Sequence, residues 1–134
     1  MAEKMKLTIV TPDREFFNED VDMVEFNTTE GELGIYPHHV PLTVIVKPGV
    51  LKITQDGEVR HAALHAGFVQ ILPEEVTILA EIIEWPGEID ENRAEAARER
   101  AQGRLSSGGS DIDMIRAEAA LRRSITRIRV SELR

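Results

Sequence analysis

Cysteine is absent from this chain of 134 residues, which excludes disulfides and thiolate metal sites and is typical of a reducing compartment. Aromatic side chains make up only 4% of the sequence, so a core must come mainly from aliphatic residues within a 42% hydrophobic fraction. No apolar run approaches the ~20 residues that span a bilayer, and no signal-peptide pattern opens the chain. We therefore expect no membrane insertion, and one compact domain or a small domain with an appendage.

Positive charge is scarce in most of the chain. The net charge of −8 argues against nonspecific binding of nucleic acid or anionic lipid. Residues 1–86 hold 6 basic and 15 acidic side chains, whereas residues 87–134 hold 10 basic and 9 acidic ones. Every base of the second segment is arginine. This asymmetry predicts two segments with different roles.

The first 86 residues consist of short β-prone runs separated by turn residues. These runs are "KLTIVTP", "VDMVEFNTT", "PLTVIVKPG", "VLKITQDGEVRHAAL" and "GFVQILPEEVTILAEII". Asp56-Gly57 joins two such runs and accepts the positive φ angles of a tight hairpin turn, and Pro73-Glu74 joins two more. From Thr28 to Pro41, "TTEGELGIYPHHVP" predicts a rigid exposed loop that serves either contact or simple connection. Short strands interrupted about every 8–12 residues predict an antiparallel β-sandwich or flattened barrel over residues 1–86.

Trp85-Pro86-Gly87 interrupts this pattern, and from Asp90 onward the apolar residues recur with a helical period. "SSGGS", residues 106–110, predicts a turn, and Asp111 is the expected N-cap of a second helix. Because the loop is so short, we expect an antiparallel two-helix hairpin over residues 87–134. Its two predicted packing stripes are Ala94, Ala97, Ala101 and Leu105, and Met114, Ala117, Leu121, Ile125 and Ile128. Alanine buries little area, so the hairpin should be weakly held and able to move.

Nine of the ten arginines of the hairpin, all except Arg134, divide into two groups. Those with an acidic residue three or four positions away are Arg93, Arg98, Arg116, Arg122 and Arg129, and those without are Arg100, Arg104, Arg123 and Arg127. Folding the hairpin about residue 108 brings Arg93 close to Arg123, and Arg127 close to Ile89 and Asp90, with Arg100 on the face of Arg93. Such convergence of like charges is unfavourable without an anion, and guanidinium groups bind phosphate through paired hydrogen bonds. The alternative is a solvated charged face with no ligand.

The sequence contains no recognisable catalytic or metal motif. A Walker-type phosphate loop, GxSxG and HExxH are all absent. The four histidines, which are His38, His39, His61 and His65, lack the carboxylate arrangement that would complete a familiar metal site. We therefore predict neither catalytic residues nor a metal centre.

Four stretches of the sequence resemble one protein family. "GELGIYPHHVPL" is similar to the loop signature of the ε subunit of bacterial F-type ATP synthases, and the resemblance continues through "GFVQILPEEVTILAE", "IDENRAEAARERA" and "IRAEAALRRSITRI". It covers nearly the whole chain. It implies the architecture that the residues predict, and a non-catalytic subunit rather than an enzyme.

The resemblance also implies partners and a location. Members of the family sit on the rotor at the cytoplasmic face of the bacterial cell membrane, bound peripherally through the γ subunit and the ring of c subunits. They couple proton-driven rotation to ATP synthesis, and their C-terminal helices can extend towards the α/β catalytic head and block ATP hydrolysis. Glu32 and His39 match the loop residues that face the c ring. The resemblance assigns no residue to the γ contact.

Some members of this family, of the Bacillus-like kind, bind ATP as a regulatory ligand through an Ile/Leu-Asp-x-x-Arg-Ala motif. Residues 89–94, "IDENRA", match it in full. The implied site on the folded hairpin, with or without magnesium, comprises Glu84, Ile89, Asp90, Arg93, Ala94, Arg100, Arg123 and Arg127. Three of its arginines belong to the group without a local acidic neighbour. Two rival interpretations are a free-standing ATP-sensing module and a small β-sandwich enzyme.

Overall fold

A computed structural model describes residues 3–133 of the chain. Its strands are β1 (Met5–Val10), β2 (Glu15–Val21), β3 (Met23–Thr28), β4 (Gly31–Ile35), β5 (Leu42–Val46), β6 (Gly49–Gln55), β7 (Glu58–Ile71) and β8 (Glu75–Glu84). A 3-10 turn at Pro86–Glu88 leads to helices α1 (Glu91–Ser107) and α2 (Asp111–Glu132). The outer ends of the two predicted segments, residues 1, 2 and 134, lie outside the described range.

The strands pair in the order β2-β1-β8-β7-β5-β3-β4, and β6 pairs with both β3 and β7, which closes part of the sheet into a ring. The predicted β-sandwich followed by two helices is therefore confirmed. One strand pair departs from the antiparallel expectation, because β1 runs parallel to β8 with Lys6 opposite Glu75. A parallel neighbour requires a connection across the fold, and the rest of the sandwich supplies it.

Aliphatic side chains fill the sandwich, as the low aromatic content predicts. Fully buried members of the core include Leu7, Ile9, Leu51, Ile53, Ile71 and Ile78. Phe26 is the largest side chain among the fully buried residues of the described range. The sandwich therefore has a continuous core of its own, to which the partly buried Trp85 is added at its C-terminal end.

Two strands were not predicted from the sequence. Strand β2 contains several acidic residues, which mask its β propensity, and strand β4 lies inside the predicted loop at residues 28–41. Strand β4 pairs with β3 alone, so its two glycines are tolerated at the edge of the sheet. The Asp56-Gly57 turn is confirmed, with φ angles of 52° and 82°.

The predicted helical hairpin is confirmed, with α1 packed on α2 and α2 in turn packed on β6 and β7. Asp90 caps α1, but the N-cap of α2 is Ser110 rather than Asp111, because the Ser110 hydroxyl accepts from the Asp113 N–H at 3.2 Å. The second packing stripe differs from the prediction at one position. Ile125 is 40% exposed, whereas Ser124 is buried, and its hydroxyl donates a hydrogen bond to the Leu121 carbonyl oxygen at 2.8 Å. Within residues 3–133 no helix is long and apolar enough to cross a bilayer.

Candidate functional site

A cleft of about 340 Å³ lies where the start of α1, the end of β8 and the middle of α2 meet. Its volume falls in the range of small-molecule sites. Six of the eight residues predicted for ATP line it, and the full lining is Glu84, Glu88, Asp90, Arg93, Ala94, Ala97, Arg100 and Arg127. The fold thus brings together residues that are up to 43 positions apart in the sequence.

Helix α1 presents its part of the cleft through simple helical spacing. Arg93, Ala97 and Arg100 recur at intervals of four and three, so they share one face of the helix. Asp90 fixes where that face begins, because its side chain accepts from the Arg93 N–H at 3.1 Å. Within the described residues neither Arg93 nor Arg100 forms an ion pair, so both guanidinium groups remain available to an anion.

Ile89 lies beneath the cleft rather than in it. Its side chain is 5% exposed and packs in a small cluster with Ala63 of β7 and Val130 of α2. This cluster holds the start of α1 and the end of α2 against the sandwich. The isoleucine of the motif therefore has a structural reason to be apolar, because it anchors the chain just before Asp90.

Glu84 links the sandwich to α2. Its Oε1 accepts from the Arg127 Nε at 2.7 Å and from the His65 Nε2 at 3.1 Å. Burial alone would raise the pKa of Glu84, but these hydrogen bonds outweigh it and lower the pKa below its ordinary value. Glu84 is therefore a carboxylate at neutral pH, and Arg127 is held by a partner that local spacing along the helix does not reveal.

Glu88 anchors the 3-10 turn at one end of the cleft. Its Oε1 accepts from Arg14 Nη2 at 2.8 Å and from the Trp85 N–H at 2.9 Å, and the Arg14 hydrogen bond lowers the pKa of Glu88. Trp85 is stacked on Phe16 with ring centroids 4.2 Å apart, and the Arg60 guanidinium lies 4.2 Å from the Trp85 ring centroid in a cation–π contact. The approach to the cleft is thus fixed to the sandwich.

Arg123 is not among the residues of this cleft. It lines a neighbouring cleft of about 410 Å³ between α2 and the sheet, together with Arg122, Glu118 and Ile115. It precedes Arg127 by one helical turn, so the two share a face of α2, but Arg123 lies one turn further from Glu84. The predicted meeting of Arg93 and Arg123 is therefore replaced by a meeting of Arg93 and Arg127 in the same cleft.

The predicted local ion pairs are only partly present. Arg98 pairs with Glu95, and Arg122 pairs with Glu118 at 3.1 Å. The pairs predicted for the remaining three arginines, which are Arg93, Arg116 and Arg129, are not formed within residues 3–133. For Arg93 the reason is clear, because Asp90 uses its side chain to cap the helix.

Glu32 and His39, the residues predicted to face the c ring, lie on the edge strand and in the turn after it. Glu32 is exposed on β4 opposite Asn27. His39 follows the strand, with its Nδ1 2.7 Å from the Val40 carbonyl oxygen. Exposed apolar side chains accompany them, with Tyr36 62% and Val40 70% exposed. This edge of the sandwich therefore offers both polar and apolar groups to a partner.

Sequence reasoning missed two residues of this site. His65 was considered only as a metal ligand, because residues 62–65 are all buried and β7 shifts its register against β8 there, so alternation along the strand does not indicate its role. Glu88 was not considered, and its acidic character beside Pro86-Gly87 gave no signal for a capping role. No group of three potential metal ligands is present in the part of the chain that the structure describes.

Comparison with known proteins gives consistent matches along the chain. Residues 4–86 match the model of the beta-sandwich domain of the ATP synthase delta/epsilon chain, and residues 88–132 match the model of its long alpha-helix domain. A protein of Syntrophobacter fumaroxidans named ATP synthase epsilon chain is 45% identical over 132 residues, covering 98% of each chain. Its namesake in Bacillus velezensis is 40% identical over 127 residues, covering 95% of this chain and 96% of the relative.

A solved structure supports the fold. One chain of the mitochondrial ATP synthase of Euglena gracilis, in a structure of OSCP, F1 and the c-ring, matches with a TM-score of 0.82 and 24% identity. The match covers 98% of this chain and 82% of that one. At this level of identity the likeness concerns the arrangement of the sandwich and the two helices.

Proposed function

The chain belongs to the delta/epsilon chain family of ATP synthases, and we propose that it acts as a rotor subunit whose helical hairpin is regulated by ATP. It is the epsilon-type, non-catalytic subunit of the F1 sector, as its relatives are named. Its proposed partners are the γ subunit and the c ring, with the α/β head as a third partner when the hairpin extends. In this role it transmits rotation during ATP synthesis.

The observation that carries the ATP proposal is the convergence of Arg93, Arg100 and Arg127 on one cleft. Two of these guanidinium groups have no ion pair among the described residues, and phosphate oxygens would complement them. Glu84 and Asp90 would instead accept from the N–H and O–H groups of the nucleotide or hold the arginines in place. The residues thus fit a ligand with a strongly anionic end and a donor-bearing end.

ATP would be a regulatory ligand of this cleft. Because the chain belongs to the non-catalytic epsilon-type subunits, we propose that the cleft binds ATP without hydrolysing it. A ligand that binds only the folded hairpin stabilises it by RT ln(1 + [L]/Kd), about 2.7 kcal/mol at one hundred times Kd. We infer that ATP favours the folded hairpin over the extended one.

Inhibition of ATP hydrolysis would then belong to the extended state. Helix α2 carries the exposed side chains Ile112 and Ile115 beside several arginines, and the α1 interface is built mainly on alanine. Extension would present the arginines of α2 to acidic surfaces of the catalytic head. The free-energy cost of extension is small, because the alanine stripe of α1 buries only a modest area.

The ATP proposal is tested by the rise in melting temperature that ATP produces in purified variants. Arg100→Ala should abolish most of the rise. Arg98→Ala should keep it, because the Arg98 side chain that it removes is already paired with Glu95. Arg123→Ala should have an intermediate effect, because Arg123 lines the neighbouring cleft and would need to reorient to reach phosphate. Equal rises in all three variants would show that the cleft does not bind ATP.

The rival function, a free-standing ATP-sensing module, makes a different prediction about assembly. As a rotor subunit, the chain should co-purify with the γ and c subunits at one copy per complex. A chain that binds ATP but is recovered free of those subunits would support the rival. The exposed edge at Tyr36 and Val40 favours the rotor assignment, because it offers apolar surface to a partner.

A further inference from the structure

His65 is a buried ionisable residue that neither the fold nor the proposed function has so far explained. Its side chain is 1% exposed. It lies in β7 where the pairing with β8 shifts register between Leu64 and Ala66, so His65 itself has no partner in the ladder. Such irregularities redirect side chains and are frequent beside functional sites.

The imidazole of His65 makes one defined contact. Its Nε2 lies 3.1 Å from Oε1 of Glu84, the same oxygen that accepts from Arg127 at 2.7 Å. Because a carboxylate accepts, the ring proton of this contact lies on Nε2. The other nitrogen, Nδ1, is buried without a hydrogen-bond partner.

An orphaned nitrogen makes histidine a poor choice for packing alone. Burying a polar group without a partner is unfavourable, and an apolar side chain of similar size would avoid it. What histidine adds here is the Nε2 donor to Glu84. Both donors use Oε1, and within residues 3–133 Oε2 of Glu84 has no hydrogen-bond partner.

We propose that His65 is a positioning residue for the nucleotide cleft, which fixes the Glu84 carboxylate so that Oε2 accepts from the donor-bearing end of the nucleotide. This inference rests on the proposed ATP function. His65 of β7 and Arg127 of α2 both donate to Oε1 of Glu84, so rotation of this carboxylate breaks two hydrogen bonds. Its free oxygen is then held ready for an amino or hydroxyl donor, away from the phosphates that Arg93 and Arg100 would bind.

The test compares His65→Met with His65→Gln by calorimetric titration of the purified chain with ATP. Methionine fills the space without a donor, whereas the glutamine amide nitrogen occupies nearly the position of Nε2 and can donate to Glu84. We expect His65→Met to weaken ATP binding by roughly ten-fold and His65→Gln to restore most of the affinity. Leu64→Met, in the neighbouring buried position, controls for a packing change in the strand and should bind ATP normally.

A second arm separates positioning from general loss of structure. In a Glu84→Gln chain, adding His65→Met should cause little further loss, because the carboxylate that His65 orients is already gone. Unchanged affinity in His65→Met, equal loss in both His65 variants, or full additivity with Glu84→Gln would each overturn the inference. If the wild-type chain itself binds no ATP, the proposed function falls and this inference falls with it. Normal wild-type binding with an unaffected His65→Met chain would overturn the inference alone.

Discussion

Replacing Arg127 by methionine should loosen α2 from the sandwich without unfolding the sandwich. The change removes the 2.7 Å contact with Glu84 and leaves that carboxylate with His65 as its one described partner. A charge-assisted hydrogen bond contributes about 1.5–3 kcal/mol. The Arg127 and Glu84 side chains are 29% and 24% exposed, so we take the lower end of this energy range. About 1.5 kcal/mol corresponds to a roughly ten-fold larger undocked population.

The lack of cysteine makes this population measurable. A single cysteine introduced by Val130→Cys would be buried against Ala63 and would react with a thiol reagent only when α2 undocks. When redocking is faster than labelling, the labelling rate is proportional to the undocked population. We expect that rate to rise roughly ten-fold when Arg127→Met is added.

The matched control is Arg122→Met on the same helix. Arg122 pairs with Glu118 within α2, so its loss costs only about 0.3–0.5 kcal/mol and leaves the contact with the sandwich intact. Its labelling rate should rise by no more than about 2.3-fold. Equal labelling rates in the Arg127 and Arg122 variants would refute the claim that the ion pair between Glu84 and Arg127 holds the folded hairpin on the sandwich.

Three further predictions concern acid, the c ring and the catalytic head. The folded pKa of Glu84 lies below its ordinary value of 4.5, so the docking energy is complete above that pH and is lost as the pH falls through the folded pKa. Because acid also removes the reactive thiolate, the labelling rate at Val130→Cys is taken relative to that of a fully exposed cysteine at the same pH. This ratio should rise there, and an unchanged ratio would contradict the role of the Glu84–Arg127 pair in docking. Cysteines at Glu32 or His39 should cross-link to c subunits in the intact complex, and efficient cross-linking to α or β with none to c would exclude this orientation. Ending the chain after Trp85 should leave assembly intact and raise the ATP hydrolysis of the complex. An equally inhibited complex would show that the hairpin does not inhibit hydrolysis.

The helical segment was the easier part to predict from the sequence. Its elements depend on local signals, namely the helical period and the glycine-rich turn, and both are present in the structure. The errors concerned single positions, with Ser110 in place of Asp111 and Ser124 in place of Ile125. A hydroxyl side chain can donate a hydrogen bond to a carbonyl oxygen of its own helix. It can therefore be buried at a position where a pattern of apolar residues alone would not predict burial.

The site was harder to predict, because its key contact is not local. The Glu84 partner of Arg127 is 43 positions away, so no spacing rule along the helix could find it. His65 acquires its role from the register shift in β7, which the alternation of residues does not reveal. Arg123 was included because it has no local acidic neighbour and because the family resemblance implied it, whereas its place in the neighbouring cleft depends on how α2 is rotated against the sheet.

The most direct test of this account is a calorimetric titration of the wild-type chain with ATP, with and without magnesium, beside the double variant Arg93→Ala/Arg100→Ala. Both replaced guanidinium groups line the cleft, and neither is held by an ion pair among the described residues. The account predicts one ATP bound per wild-type chain and a loss of at least roughly ten-fold in affinity in the double variant. Binding of equal strength in the two chains, or none in the wild type, would contradict it.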